Sequence, residues 1–139
     1  MKITIFCVCF AAIVSATFAD TRRSPNLKYQ EARKKCQDDP VTSLDRETLK
    51  NAFRGDVDVA SFGGHALCIY KNLQILDEKS NINKAELRSS LDYIITDAHK
   101  LDQAVEDCAV KKDTPEETAV EIFKCTKRAM APYLPHYDM

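Results

Sequence analysis

Four cysteines constrain this chain more than any other feature. The full sequence holds six, but Cys7 and Cys9 fall in an N-terminal apolar stretch that reads as a leader, leaving Cys36, Cys68, Cys108 and Cys125. An even count in an exported chain points to two disulfides, and four cysteines allow three pairings that spacing alone does not separate. Zinc is the competing use of cysteine and fits poorly, because the chain has no CxxC and its one close His/Cys pair is His65 with Cys68.

The leader itself begins with Lys2, continues as ITIFCVCFAAIV and ends in small residues at Ala19. That order is the pattern of a secretory signal peptide, with Val14-Ser15-Ala16 as a second place to cut. Its apolar core falls short of the roughly 20 residues a membrane span needs, and no later run comes near that length. The expectation is a signal peptide over residues 1–19, one domain over residues 20–139, and secretion into an extracellular fluid. A chain of that size can close one core around about two thirds of its unfolded surface. The whole sequence carries 20 basic and 21 acidic side chains, and the leader removes only Lys2. Near-neutrality gives no reason to expect nucleic acid as a partner. The basic runs Arg33-Lys34-Lys35, Lys111-Lys112 and Lys127-Arg128 are short and read as solvated helix faces.

Periodicity is helical from end to end, and no segment alternates with period two. Ser24-Pro25 starts a first helix to about residue 37, thin in apolar content, which Asp38-Asp39-Pro40 ends. A short second helix carries Leu44, Leu49 and Phe53, with Thr42 or Ser43 as its cap and Gly55 as its stop. Gly55, Gly63 and Gly64 are all the glycines in the chain and suggest a loop over residues 55–64. The stretch from Phe62 to Asp77 reads as a central helix, with Ile69, Leu73 and Leu76 at the spacing of one face. A fourth helix runs over about residues 84–95, capped by Asn83 with Glu86, and presents Leu87, Leu91, Ile94 and Ile95. Leu101, Ala104, Val105 and Cys108 mark a fifth after Thr96-Asp97. Thr114-Pro115-Glu116-Glu117 opens a sixth to about residue 131, on which Ile122, Phe123, Thr126 and Met130 share a face. The apolar ending PYLPHYDM is expected to fold back on the bundle. The fold class is all-α, about six helices.

Chemistry of the usual kinds is absent from the pattern. There is no phosphate loop, no GxSxG and no HExxH. The run from Asp77 to Arg88 imitates a calcium loop but has Lys79, Ile82 and Arg88 where calcium needs oxygen, glycine and oxygen. Asp97, His99 and Asp102 lie close in sequence, yet a surface histidine on a helix is the simpler reading. No catalytic residue, metal ligand or cofactor is expected, and the chain is read as a non-enzyme. N-glycosylation sites of the NxS/T type are also absent.

With six helices and the cysteine positions set out, the chain resembles the insect odorant-binding protein family, the pheromone/general odorant-binding family, over its whole mature length. Members of that family typically hold six cysteines, bridged first to third, second to fifth and fourth to sixth, with fixed gaps of three and eight residues before the third and sixth. Counting back from Cys68 and Cys125, the two absent cysteines fall at Gly64 and Glu116. Both belong to one bridge, which together with KNLQILDEKSNINKAELRSSL makes the chain similar to the four-cysteine C-minus branch. The resemblance implies the pairs Cys36 with Cys68 and Cys108 with Cys125, an apolar cavity inside the helical bundle, and a central helix whose start is tied only at Cys68.

It also implies a function, the non-catalytic carriage of a small hydrophobic molecule such as an odorant, pheromone or lipid-like compound. The expected ligand wall is Phe53, Ile69, Leu73 and Leu76, with Leu91, Ile94 and Ile95 from the fourth helix. Val105, Ile122, Phe123, Met130 and Tyr133 complete it. Tyr70, Tyr93, Tyr133 or Tyr137 would supply a hydrogen bond to a ligand oxygen. The protein would be a monomer or weak homodimer with no membrane span, and olfactory receptor delivery is an open downstream step. His136, in the tail, would loosen a tail cap on acidification. The alternative is a salivary, venom or body-fluid protein of the same fold that sequesters an amine or lipid or binds a macromolecule.

Overall fold

Local capping chemistry sets where the helices begin. The computed structural model describes residues 25–134, so the leader, His136 and Tyr137 lie outside the described residues. Within them the order is α1 (Pro25–Asp38), α2 (Arg46–Arg54), α3 (Val59–Asn72), α4 (Lys84–Leu91), α5 (Ala98–Cys108) and α6 (Pro115–Met130). A 3₁₀ turn, Ala131–Tyr133, follows. Each helix from α2 to α6 has a side-chain N-cap, in order Asp45, Asp58, Asn83, Asp97 and Thr114. Each cap accepts a hydrogen bond from an amide that the first turn leaves without an intrahelical partner. Thr114 and Glu117 form a reciprocal capping box, with both hydrogen bonds at 3.1 Å.

Four expectations change, the first being the end of the central helix: α3 stops at Asn72, with Leu73 as its C-cap, so Leu76 and Asp77 lie in the loop that follows. The cap of α2 is Asp45, not Thr42 or Ser43; the Thr42 hydroxyl instead donates to the Cys36 carbonyl at 2.7 Å. The glycine-rich loop is much shorter than residues 55–64, because Asp58 accepts from Ser61 N at 3.1 Å and starts α3 four residues before Gly63. Gly55 does end α2, in the left-handed region at φ 98°, where a residue with a Cβ is strained. The fourth helix stops at Leu91 rather than near residue 95. There the Leu91 carbonyl accepts from both Ile94 N and Ile95 N, at 3.0 and 2.9 Å, turning the chain before Asp97 caps α5.

The central element is α3, which packs most extensively on α6 and next on α1. Two disulfides hold this arrangement: Cys36–Cys68 joins α1 to α3, and Cys108–Cys125 joins α5 to α6. They close separations of 32 and 17 residues, and by loop-closure entropy each contributes about 3 to 4 kcal/mol. The main core gathers Leu76, Leu87, Leu91, Ile95, Val105 and Ile122, all buried. A smaller cluster of Ala32, Cys36 and Ile69 fills the seam between α1 and α3.

The loop between α3 and α4 is organised by one carboxylate. Asp77 accepts from Lys79 N, Asn81 N and Asn81 Nδ2, at 2.8, 2.8 and 2.9 Å. Those hydrogen bonds, the Asn81 side chain first, hold its carboxyl below the usual carboxylate range. The acid that opens the calcium-like run is therefore occupied in shaping its own turn.

Candidate functional site

Short α4 and the turn after it leave a space that the core does not fill. A cavity of about 910 Å³ lies between α3, α4 and α6, bordered by Tyr29 of α1 and the C-terminal end of α2. That volume is at the upper end of what small-molecule sites occupy, about 300 to 1,000 Å³. Its deep wall includes the buried Ile75 and Leu87, and Leu73, Ile94, Phe123 and Met130 extend the apolar surface. Leu134 adds to it just after the 3₁₀ turn. Exposed Arg54, Tyr93 and Ala131 lie on the rim, so the cavity reaches the surface.

Polar groups are few and grouped. Tyr70 is buried in the wall; burial pushes its phenol well above the usual tyrosine range against the smaller opposing pull of the Thr126 side chain, so the phenol is neutral. The Thr126 hydroxyl donates to the Ile122 carbonyl at 2.8 Å, and the Ser90 hydroxyl to the Leu87 carbonyl at 2.7 Å. Lys127 is half-buried and donates from Nζ to the Phe53 carbonyl at the end of α2. It is therefore not part of a solvated face, as its neighbour Arg128 is. Among the described residues no carboxylate side chain lines the cavity.

The expected ligand wall divides into three groups. Phe53, Leu73, Ile94, Phe123 and Met130 meet around the cavity. Leu76, Leu91, Ile95, Val105 and Ile122 are buried in the core, and Tyr133 packs against it half-buried; none of these six borders the cavity. Ile69 borders instead a second void of about 20 Å³ beside Phe62 and His65, room for about one water. Of the tyrosines, Tyr70 and Tyr93 line the large cavity. Thr126 lies on the α6 face that periodicity did mark, and among the lining residues that it did not mark are the polar Ser90, Arg54 and Lys127, together with Tyr29 and Ala131. A rule that selects apolar faces passes over them.

The residues imagined for acid/base chemistry are otherwise engaged. Asp97 caps α5, accepting from Lys100 N at 3.0 Å, and Asp102 is held by Arg88 Nε at 2.8 Å. Among the described residues no group of three or more His, Cys, Asp or Glu side chains could hold a metal ion, and no helix is long and apolar enough to cross a membrane.

α3 meets Glu116 through Gly63. A Cβ on Gly63 would lie 2.8 Å from the Glu116 Cβ, while one on Gly64 would have nothing within 4 Å. The helix pair that a third bridge would join is here closed by direct approach of backbone to side chain.

Residues 19–129 match the model of the PBP/GOBP family. Two curated relatives, both from Tenebrio molitor, are similar in sequence. The B1 protein is 33% identical over 85 residues, covering 60% of this chain and 65% of the relative. The B2 protein is 36% identical over 78 residues, covering 55% of this chain and 61% of the relative. The matched stretch thus spans under two thirds of either relative's length.

Proposed function

The chain belongs to the PBP/GOBP family of insect odorant-binding proteins, and we propose that it is a secreted, non-catalytic carrier of small hydrophobic molecules. The observation that supports this reading is the cavity of about 910 Å³, with apolar walls and a few grouped hydrogen-bonding side chains. Removing apolar ligand surface from water contributes about 25 cal/mol per Å² and supplies the affinity. Phe53, Leu73, Ile94, Phe123 and Met130 are the ligand contacts, and the Tyr70 and Thr126 hydroxyls orient a ligand oxygen. In this reading residues 1–19 direct export and are removed, the remainder acts as one domain, and the carrier works as a monomer or weak homodimer that can deliver its load to a receptor.

Titration with fluorescent phenylnaphthylamine, followed by displacement with apolar compounds, tests the carrier directly. Saturable binding is expected, and Met130→Trp, which fills part of the cavity, should weaken it. A folded protein with both disulfides formed that takes up neither probe nor competitor would sink the proposal.

A further inference from the structure

The polar groups of the cavity are not evenly spread, and their charge is one-sided. Lys127 and Arg54 both line it, and no acidic side chain among the described residues does. The two cations belong to one end of the cavity. Lys127 Nζ donates to the Phe53 carbonyl, and Arg54 is the next residue in the chain. Among the described residues neither is paired with a carboxylate, in contrast to Arg88, Lys84 and Lys34, which are paired with Asp102, Glu106 and Asp38.

A half-buried ammonium whose protein partner is a neutral carbonyl is only partly compensated, and an anion reaching it would complete the pairing. The apolar side chains around half-buried Lys127 lower the local dielectric, which makes that pairing stronger than on an open surface, while exposed Arg54 adds less. No other cationic side chain among the described residues lines the cavity. Ile75, Leu87 and Ile94 form an apolar surface that suits a hydrocarbon chain and would strand a second charge.

We propose that the cavity selects amphipathic carboxylates with a long hydrocarbon chain, the carboxylate held by Lys127 and Arg54 and the chain laid along the apolar wall toward Leu87 and Ile94. This rests on the carrier reading above and adds the chemical class of the load. A neutral alcohol or ester of the same chain keeps the apolar burial and loses the charged pairing. The discrimination therefore comes from one end of the ligand.

Competition of dodecanoate, dodecanol and methyl dodecanoate against bound phenylnaphthylamine at neutral pH tests the assignment. Dodecanoate should bind about tenfold more tightly than the other two, the scale of one charge-assisted hydrogen bond in a partly dry site. Lys127→Met should remove most of that preference while leaving dodecanol within about twofold of its original affinity, and Arg54→Gln should remove part of it. Arg128→Gln, on the exposed face beside Glu121, should leave all three affinities unchanged. Three equal affinities, or a Lys127→Met variant that weakens dodecanol as much as dodecanoate, would overturn the carboxylate assignment and leave the carrier reading standing. No binding by any competitor or by the fluorescent probe, with native circular dichroism, would overturn both.

Discussion

A Cβ built on Gly63 would approach the Glu116 Cβ to 2.8 Å, and that atom is fixed to the α6 backbone and cannot swing aside. Alanine at Gly63 gains about 1 kcal/mol of helix propensity but must push α3 from α6, and overpacking of this kind costs about 1 to 3 kcal/mol. The clash should win. Gly64 is exposed with open space before it, so alanine there keeps the propensity gain without the clash. Urea unfolding should place Gly64→Ala above the parent by up to about 1 kcal/mol and Gly63→Ala below it. The reverse order would show that α3 and α6 are not packed as described. His65 makes a second residue-scale case. Its ring is buried, Nδ1 donates to the Thr42 carbonyl at 2.7 Å, and Nε2 has no partner among the described residues. Burial, and then the nearby Arg33 charge, hold its pKa below the ordinary 6.5, against the opposing pull of the Thr42 carbonyl. The unfolded chain therefore takes up a proton that the folded one resists. The contribution to stability is complete above about pH 6.5 and is lost as pH falls from there through the depressed folded value. His65→Asn, which can still donate to Thr42, should flatten that part of the stability-against-pH profile. A slope unchanged by the substitution would assign it to other groups.

At the level of elements, the start of α6 is the best-defined boundary in the chain, and its capping box offers a clean test. Thr114→Ala removes the acceptor for Glu117 N and the geometry that holds the Glu117 carboxylate on the Thr114 amide. A cost of about 1 kcal/mol is expected, with faster amide exchange confined to the first turn of α6. Affinity for the fluorescent probe should stay the same, because Thr126, Lys127 and Met130 lie three turns away at the other end of the helix. Boundaries of this type were partly legible in the sequence because a cap is a local device. At α2 Thr42 or Ser43 reads as the cap in place of Asp45, while Thr96-Asp97 reads as a break and Asn83 and Thr114 could be read within four residues of context. The start of α3 could not. Asp58 competes with two glycines whose presence suggests a loop, and the reason for one of them, the approach to Glu116, belongs to another helix. The cavity had the same difficulty. Spacing puts Leu76 and Leu91 on inward faces just as it does Leu73 and Ile94, and the early ends of α3 at Asn72 and of α4 at Leu91 separate the side chains that meet core from those that meet open space. Lys127 was legible as a charge but not as a cavity residue, since nothing near it in sequence reports the Phe53 carbonyl.

Over the whole molecule, the two disulfides join different pairs of helices and should fail differently. Their loop-closure contributions are similar, about 3 to 4 kcal/mol, so Cys36→Ala with Cys68→Ala and Cys108→Ala with Cys125→Ala should cost comparable stability in urea. Their effect on the cavity should not be comparable. Cys36–Cys68 anchors α1, a helix with little apolar surface of its own, and α1 places Tyr29 in the cavity wall. Its seam with α3 is the small cluster of Ala32, Cys36 and Ile69, which by itself holds a helix weakly. Cys108–Cys125 anchors α5, and no α5 residue borders the cavity. α5 also keeps Leu101, Ala104 and Val105 buried in the main core after the bridge is gone. Under conditions where both double variants remain folded, loss of Cys36–Cys68 should let α1 part from α3 and weaken binding of phenylnaphthylamine. Loss of Cys108–Cys125 should lower the unfolding midpoint and leave the titration nearly superimposable on the parent. Equal loss of affinity in the two variants would mean that the cavity depends on global stability alone, and that α1 is not a wall held in place by its bridge.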